Sequence, residues 1–193
     1  MWFLNKKSSF LLFASVFGLM STISTGVTAN DGSITFMGQI SDATCEITGG
    51  DENNPSQGAN FTVTLPSVSA TALSANGKYA GDTRFFINLS GQNCPNNKIA
   101  NVVFERAQST NIDSTTGYLK NHTISGAAKN VQVRILNKDK TPLDLNLLNT
   151  SHQPVTIANN TAKFEYWGQY ASVGGASSAG TVETDVIYSI TYR

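Results

Sequence analysis

The sequence predicts an all-β protein built as one antiparallel sandwich, and three observations carry that prediction. Apolar side chains alternate with polar ones in run after run, a period of two that suits half-buried strands rather than helices. Short clusters of Asn, Asp, Gly and Ser separate the runs, as the turns between strands require. Only 13% of the 193 residues are charged while 40% are hydrophobic, which supplies a core and excludes a disordered chain. The length permits one substantial domain, and no linker or internal repeat divides it.

In chain order, Lys6 and Lys7 precede an apolar run from Phe10 to Met20, and V-T-A follows, ending at Ala29. These are the three parts of a cleaved secretory leader, residues 1–29. The alternative, an uncleaved anchor, calls for a span of about twenty apolar residues that this run does not reach. Cleavage leaves eleven basic against thirteen acidic residues, a net charge of about −2, so no field draws the chain to nucleic acid or to an anionic membrane. Residues 30–42 form an extension that alternates through Ile34, Phe36, Gly38 and Ile40, and the domain proper is 43–193.

Within the domain, residues 49–54 read as a turn. Phe61, Val63 and Leu65 then alternate with threonines, and residues 69–75 allow a short helical turn. Further strands follow at Phe85, Ile87 and Leu89, at Val131, Val133 and Ile135, and at Ala162, Phe164 and Tyr166. The chain closes on Val186, Tyr188, Ile190 and Tyr192, whose even numbering puts all four on one face. Turns are expected at Asn76-Gly77, 137–140, Asn159-Asn160 and 174–180.

Two cysteines are present, Cys45 and Cys94, and export to an oxidising compartment makes a disulfide between them the expectation. On the loop-entropy account, closing a loop of that length is worth about 4 kcal/mol. Two cysteines and two distant histidines lack the paired spacing of a zinc site, so no metal is expected. No G-x-S-x-G elbow, phosphate-binding glycine loop or H-E-x-x-H pair occurs. His122 and His152 sit in Asn, Thr and Ser-rich stretches and read as solvated loop residues. Tyr166, Trp167 and Tyr170 offer either a platform for a sugar ring or, the commoner fate of such a run, packing at a strand end. The sequence therefore predicts no enzyme and no cofactor.

The two ends are harder to fit into a closed sandwich. A strand pattern precedes the first cysteine, and the last strand runs to the penultimate residue with no polar tail. A spare strand at one end and an edge at the other suggest that completion comes from another molecule, although residues 32–40 could also be the first strand of their own sandwich.

At these residues the sequence resembles the major-subunit family of type 1 fimbriae, the pilins of the bacterial chaperone-usher pathway. The resemblance rests on G-S-I-T-F-M-G-Q-I at 32–40, on Cys45 and Cys94, on Gly180 fourteen residues from the C-terminus, and on the penultimate Tyr192. V-Q-V-R-I-L-N at 131–137 is similar to the family's central strand, whereas the polar stretch 49–60 is longer than the family pattern.

The resemblance implies an immunoglobulin-like sandwich lacking its last strand, completed by a donor strand from another subunit. Ile34, Phe36, Gly38 and Ile40 would be the donor residues, with Gly38 passing a narrow point of the groove. Val186, Tyr188, Ile190 and Tyr192 would belong to the acceptor groove and chaperone contact, with Gly180 as the family glycine. The implied partners are copies of the chain itself, a periplasmic chaperone and an outer-membrane usher, with export through the periplasm to a surface fimbria and no insertion into the membrane. The implied role is a structural polymer subunit supporting adhesion. The alternatives are a minor adaptor or terminator, or an adhesive subunit with a sugar-binding role.

Overall fold

Phe85, Ile87 and Leu89 point to one face of a long strand, and that face is where the core begins. The computed structural model describes residues 45–147 and 153–193. The expected leader, the extension with Ile34, Phe36, Gly38 and Ile40, and His152 lie outside the described residues.

Eight strands are described: β1 (Glu46–Asp51), β2 (Tyr79–Ser90), β3 (Ile99–Phe104), β4 (Leu119–Lys120), β5 (Val131–Asn137), β6 (Val155–Thr156), β7 (Ala162–Ser172) and β8 (Tyr188–Tyr192). A single turn of 3-10 helix, Ala70–Leu73, stands where a helical turn was expected, with the Ser69 hydroxyl accepting from the Thr71 amide as its cap. The strands form two antiparallel sheets, ordered β1-β2-β7-β5-β4 and β6-β3-β8. Between them lie Ile87, Leu89, Val102, Ile135, Phe164 and Tyr166, all buried. Tyr166 stacks on Phe85 at 5.5 Å between ring centres and meets Phe104 edge-on at 5.4 Å. Cys45, just before β1, is bonded to Cys94, in the turn after β2, so the disulfide staples two neighbouring strands.

Four local expectations change. β3 was not among the expected strands: Ala100, Val102 and Phe104 do alternate inward, but Ile99 and Val103 fill the other positions and hide the period. Residues 49–51 belong to β1 rather than to a turn. Gly49 is there because a Cβ would lie 2.3 Å from the Phe61 ring, so the glycine answers to close packing and not to a bend. Phe61, Val63 and Leu65 do pack on the core, yet among the described residues their segment is in no ladder. The last strand pairs only from Tyr188, leaving Val186 ahead of it.

Candidate functional site

A cleft of about 630 Å³ opens along one side of the sandwich. Its walls are residues 59–65 and 182–188, and its floor is the core itself: Phe85 and Ile87 from β2, Phe104 from β3, Leu119 from β4, and Val133 and Ile135 from β5. An apolar interior reached from outside is unusual for a soluble domain, because that surface is normally covered.

The backbone of each wall has one satisfied edge and one edge that bonds no described residue. In extended chain the amide and carbonyl of residue i point the same way as those of i+2. The Gln57 carboxamide both accepts from the Thr62 amide (3.0 Å) and donates to the Thr62 carbonyl (2.9 Å), while the Asp51 carboxylate accepts from the Thr64 amide (2.9 Å). Phe61, Val63 and Leu65 point their backbone groups the other way and bond no described residue.

On the opposite wall, Glu183 donates to Asn121 Oδ1 and accepts from the His122 amide, and Ile187 donates to Ser109 Oγ and accepts from the Glu105 amide. Val182, Thr184 and Val186 face away from those partners and bond none through their backbones among the described residues. The open edge continues into β8, since odd-numbered residues there bond β3 while Tyr188, Ile190 and Tyr192 present theirs outward at the end of the sheet. Val186 and Tyr188 line the cleft directly, whereas Ile190 and Tyr192 extend the same edge beyond it and pack partly buried on the core. At one point the walls touch: the Tyr188 hydroxyl donates to the Ala59 carbonyl at 2.7 Å, beside the Phe61 ring. Burial raises the Tyr188 and Tyr192 phenols above their ordinary pKa.

Gly180 stands where the second wall begins. A Cβ there would lie 2.5 Å from the Ala128 amide nitrogen and 2.6 Å from the Gly126 carbonyl oxygen, so no side chain fits where the two backbones meet. That close approach carries the parallel bridge from Ala127 to Thr181 that launches the wall.

The aromatic run on β7 makes no sugar platform. Tyr166 is fully buried, Trp167 lies on the outer face beneath Arg84 and Lys140 at 4.8 and 4.2 Å from its ring centre, and Tyr170 packs over Val68 and Leu73. Adjacent strand residues face opposite ways, so Tyr166 and Trp167 cannot share one surface. His122 is not a free loop residue either: its Nε2 lies 2.9 Å from Asp185 Oδ1, beside Asn111. Sequence reasoning missed the 59–65 wall as part of a site, reading it as an ordinary strand. The available signal was an alternating run ending at Pro66 and preceded by a polar stretch.

What this arrangement can do chemically is donate and accept main-chain hydrogen bonds above apolar pockets. It places the molecule in the class of immunoglobulin-like sandwiches with an open strand edge along the core. The fimbrial protein family is matched over residues 34–193. The F17 fimbrial protein of Escherichia coli is 37% identical over 92% of this chain and 97% of its own. The major fimbrial subunit SMF-1 of Stenotrophomonas maltophilia is 34% identical over 86% of this chain and 94% of its own. Among solved structures, the P pilus rod subunit PapA superposes with a TM-score of 0.55 at 14% identity, over 78% of this chain and 100% of that one. A subunit of a chaperone-usher pilus superposes at 0.52, also at 14% identity, over 85% of this chain and 96% of that one.

The chain belongs to the fimbrial protein family. It is a structural subunit of bacterial surface fimbriae and not an enzyme. No helix among the described residues is long and apolar enough to cross a membrane.

Proposed function

We propose that the cleft receives residues 32–40 of another copy of this chain, so that subunits join by exchanging a strand. The observation that carries this reading is the pair of open backbone edges, at 61, 63 and 65 on one wall and at 182, 184 and 186 on the other, with core side chains between them. A strand laid there would bond both edges, and Ile34, Phe36 and Ile40 would reach the floor while Gly38 passes a tight point. A periplasmic chaperone would hold the cleft with a strand of its own until an outer-membrane usher hands the subunit on. An open apolar groove needs such protection, since free edges and exposed core side chains drive aggregation.

Filament growth in the presence of a synthetic 32–40 peptide tests the reading. The expected result is growth that slows with peptide concentration and stops at saturation, because an occupied cleft cannot accept the next subunit. Growth at an unchanged rate in saturating peptide would overturn it.

A further inference from the structure

Both walls of the cleft are extended, yet among the described residues 59–65 and 182–187 belong to no ladder, and only Tyr188, at the end of the second wall, is paired on its outer side, with β3. Such segments ordinarily collapse or coil, because main-chain polar groups near an apolar surface must find partners. On the first wall side chains supply them, and on the second side chains share the task with the backbone amides of His122 and Glu105. The Gln57 carboxamide closes a two-bond ring with the Thr62 backbone, as a paired strand would. Asp51, only 1% exposed, accepts the Asn53 and Asn54 amides on Oδ1 and the Thr64 amide on Oδ2, tying the end of β1 to the wall.

On the other wall the same device recurs, since the Asn121 carboxamide donates to the Thr181 carbonyl and accepts from the Glu183 amide, two residues along one edge. Carboxamides suit this task because one group carries donor and acceptor side by side at peptide spacing. All of these bonds are on the outer edges, so they hold the walls without occupying the inner ones.

We propose that Gln57, Asp51 and Asn121 are positioning residues for strand capture. Gln57 and Asp51 stand in for an outer neighbour on the first wall, Asn121 completes the few backbone bonds on the second, and together they keep both walls straight and separated before any strand arrives. The polar stretch 49–60 then has a use: it delivers Asp51 and Gln57 to the wall. This rests on the strand-acceptor reading above and adds that the acceptor is set in advance by side chains. A wall already in place spares the incoming strand the cost of ordering it, so the effect falls on the association step.

The test follows binding of a fluorescent 32–40 peptide to the full mature chain, comparing wild type with Gln57→Ala and Asn121→Ala. Each variant is expected to capture peptide roughly five to ten times more slowly, with the dissociation rate unchanged, because the docked strand itself restores the wall. Gln57→Glu keeps the acceptor for the Thr62 amide and loses only the donor, so it should fold and fall between wild type and Gln57→Ala. Amide exchange at Thr62 in the unoccupied protein should quicken in both Gln57 variants, more in the alanine one. Equal association rates in all proteins would overturn the proposal while leaving strand capture intact. Equal shifts in association, dissociation and melting temperature would also overturn it, as the mark of general loosening. If wild type captures no peptide, the strand-acceptor reading falls, and this proposal with it.

Discussion

Two segments of this protein carry the same pattern, Phe61-Thr62-Val63-Thr64-Leu65 and Phe85-Phe86-Ile87-Asn88-Leu89, and end in different situations. The second lies in β2, bonded to β1 on one edge and β7 on the other. The first is bonded on one edge by the side chains of Gln57 and Asp51 and on the other by no described residue. Alternation therefore encodes which face meets the core, and says nothing about whether a neighbour is present in the same chain. A strand-like run without a ladder among the described residues marks an edge to which a strand can still be added.

The contrast can be broken from either side. Phe164 lies opposite Ile87 in the β2 to β7 ladder and is fully buried, so Phe164→Ala should cost about 3 to 5 kcal/mol in urea unfolding of the monomer and leave little folded protein to assemble. An unchanged midpoint would mean that the closed side is not where stability resides.

Asp51→Asn acts at the junction of the two segments. Its neutral amide cannot satisfy the Thr64 amide and those of Asn53 and Asn54 together, and a loss of about 1 to 2 kcal/mol is expected near pH 7. The Thr64 amide, foremost, holds the wild-type carboxyl below its ordinary pKa despite burial. A depressed folded-state pKa contributes stability that is full above the unfolded value of about 4 and is lost as pH falls through the folded value. Wild type should thus lose stability below about pH 4 more steeply than Asp51→Asn. Parallel pH profiles for the two proteins would remove Asp51 as the cause.

The smallest effect on the monomer sharpens the comparison most. Val63→Ala, on the open wall, should cost about 1 kcal/mol or less in the free chain, because the side chain is only partly buried there. The same change should weaken filaments by more than it weakens the monomer, once a strand covers the site. A monomer loss equal to that in filaments would show that the wall is already closed.

Much of the sandwich was legible because β2, β5 and β7 alternate cleanly and their apolar face is the core. β3 was not, since both its faces carry apolar residues, and β1 was not, since its two glycines look like a turn. Of the candidate site, the shared face of Val186 and Tyr188 was legible, and both line the cleft, while Gly180 stands at a close backbone approach. The opposing wall was not, because period two reports burial and not pairing. Gln57 and Asn121 were invisible in principle: a carboxamide that bonds a wall reads in sequence like any other loop residue.

The aromatic residues divide between the two regions in a way that gives the molecule separate optical reporters. Trp167 lies over the outer face of the five-stranded sheet, held between two cations and far in role from the cleft, so its emission follows the integrity of that sheet. Tyr188 is on the cleft wall with its phenol partly open to solvent, so its alkaline absorbance change follows whatever covers the wall. Because Tyr188 is one of six tyrosines, its own titration is read as the difference from a Tyr188→Phe protein, which sets a signal from the cleft wall beside the tryptophan signal from the sheet.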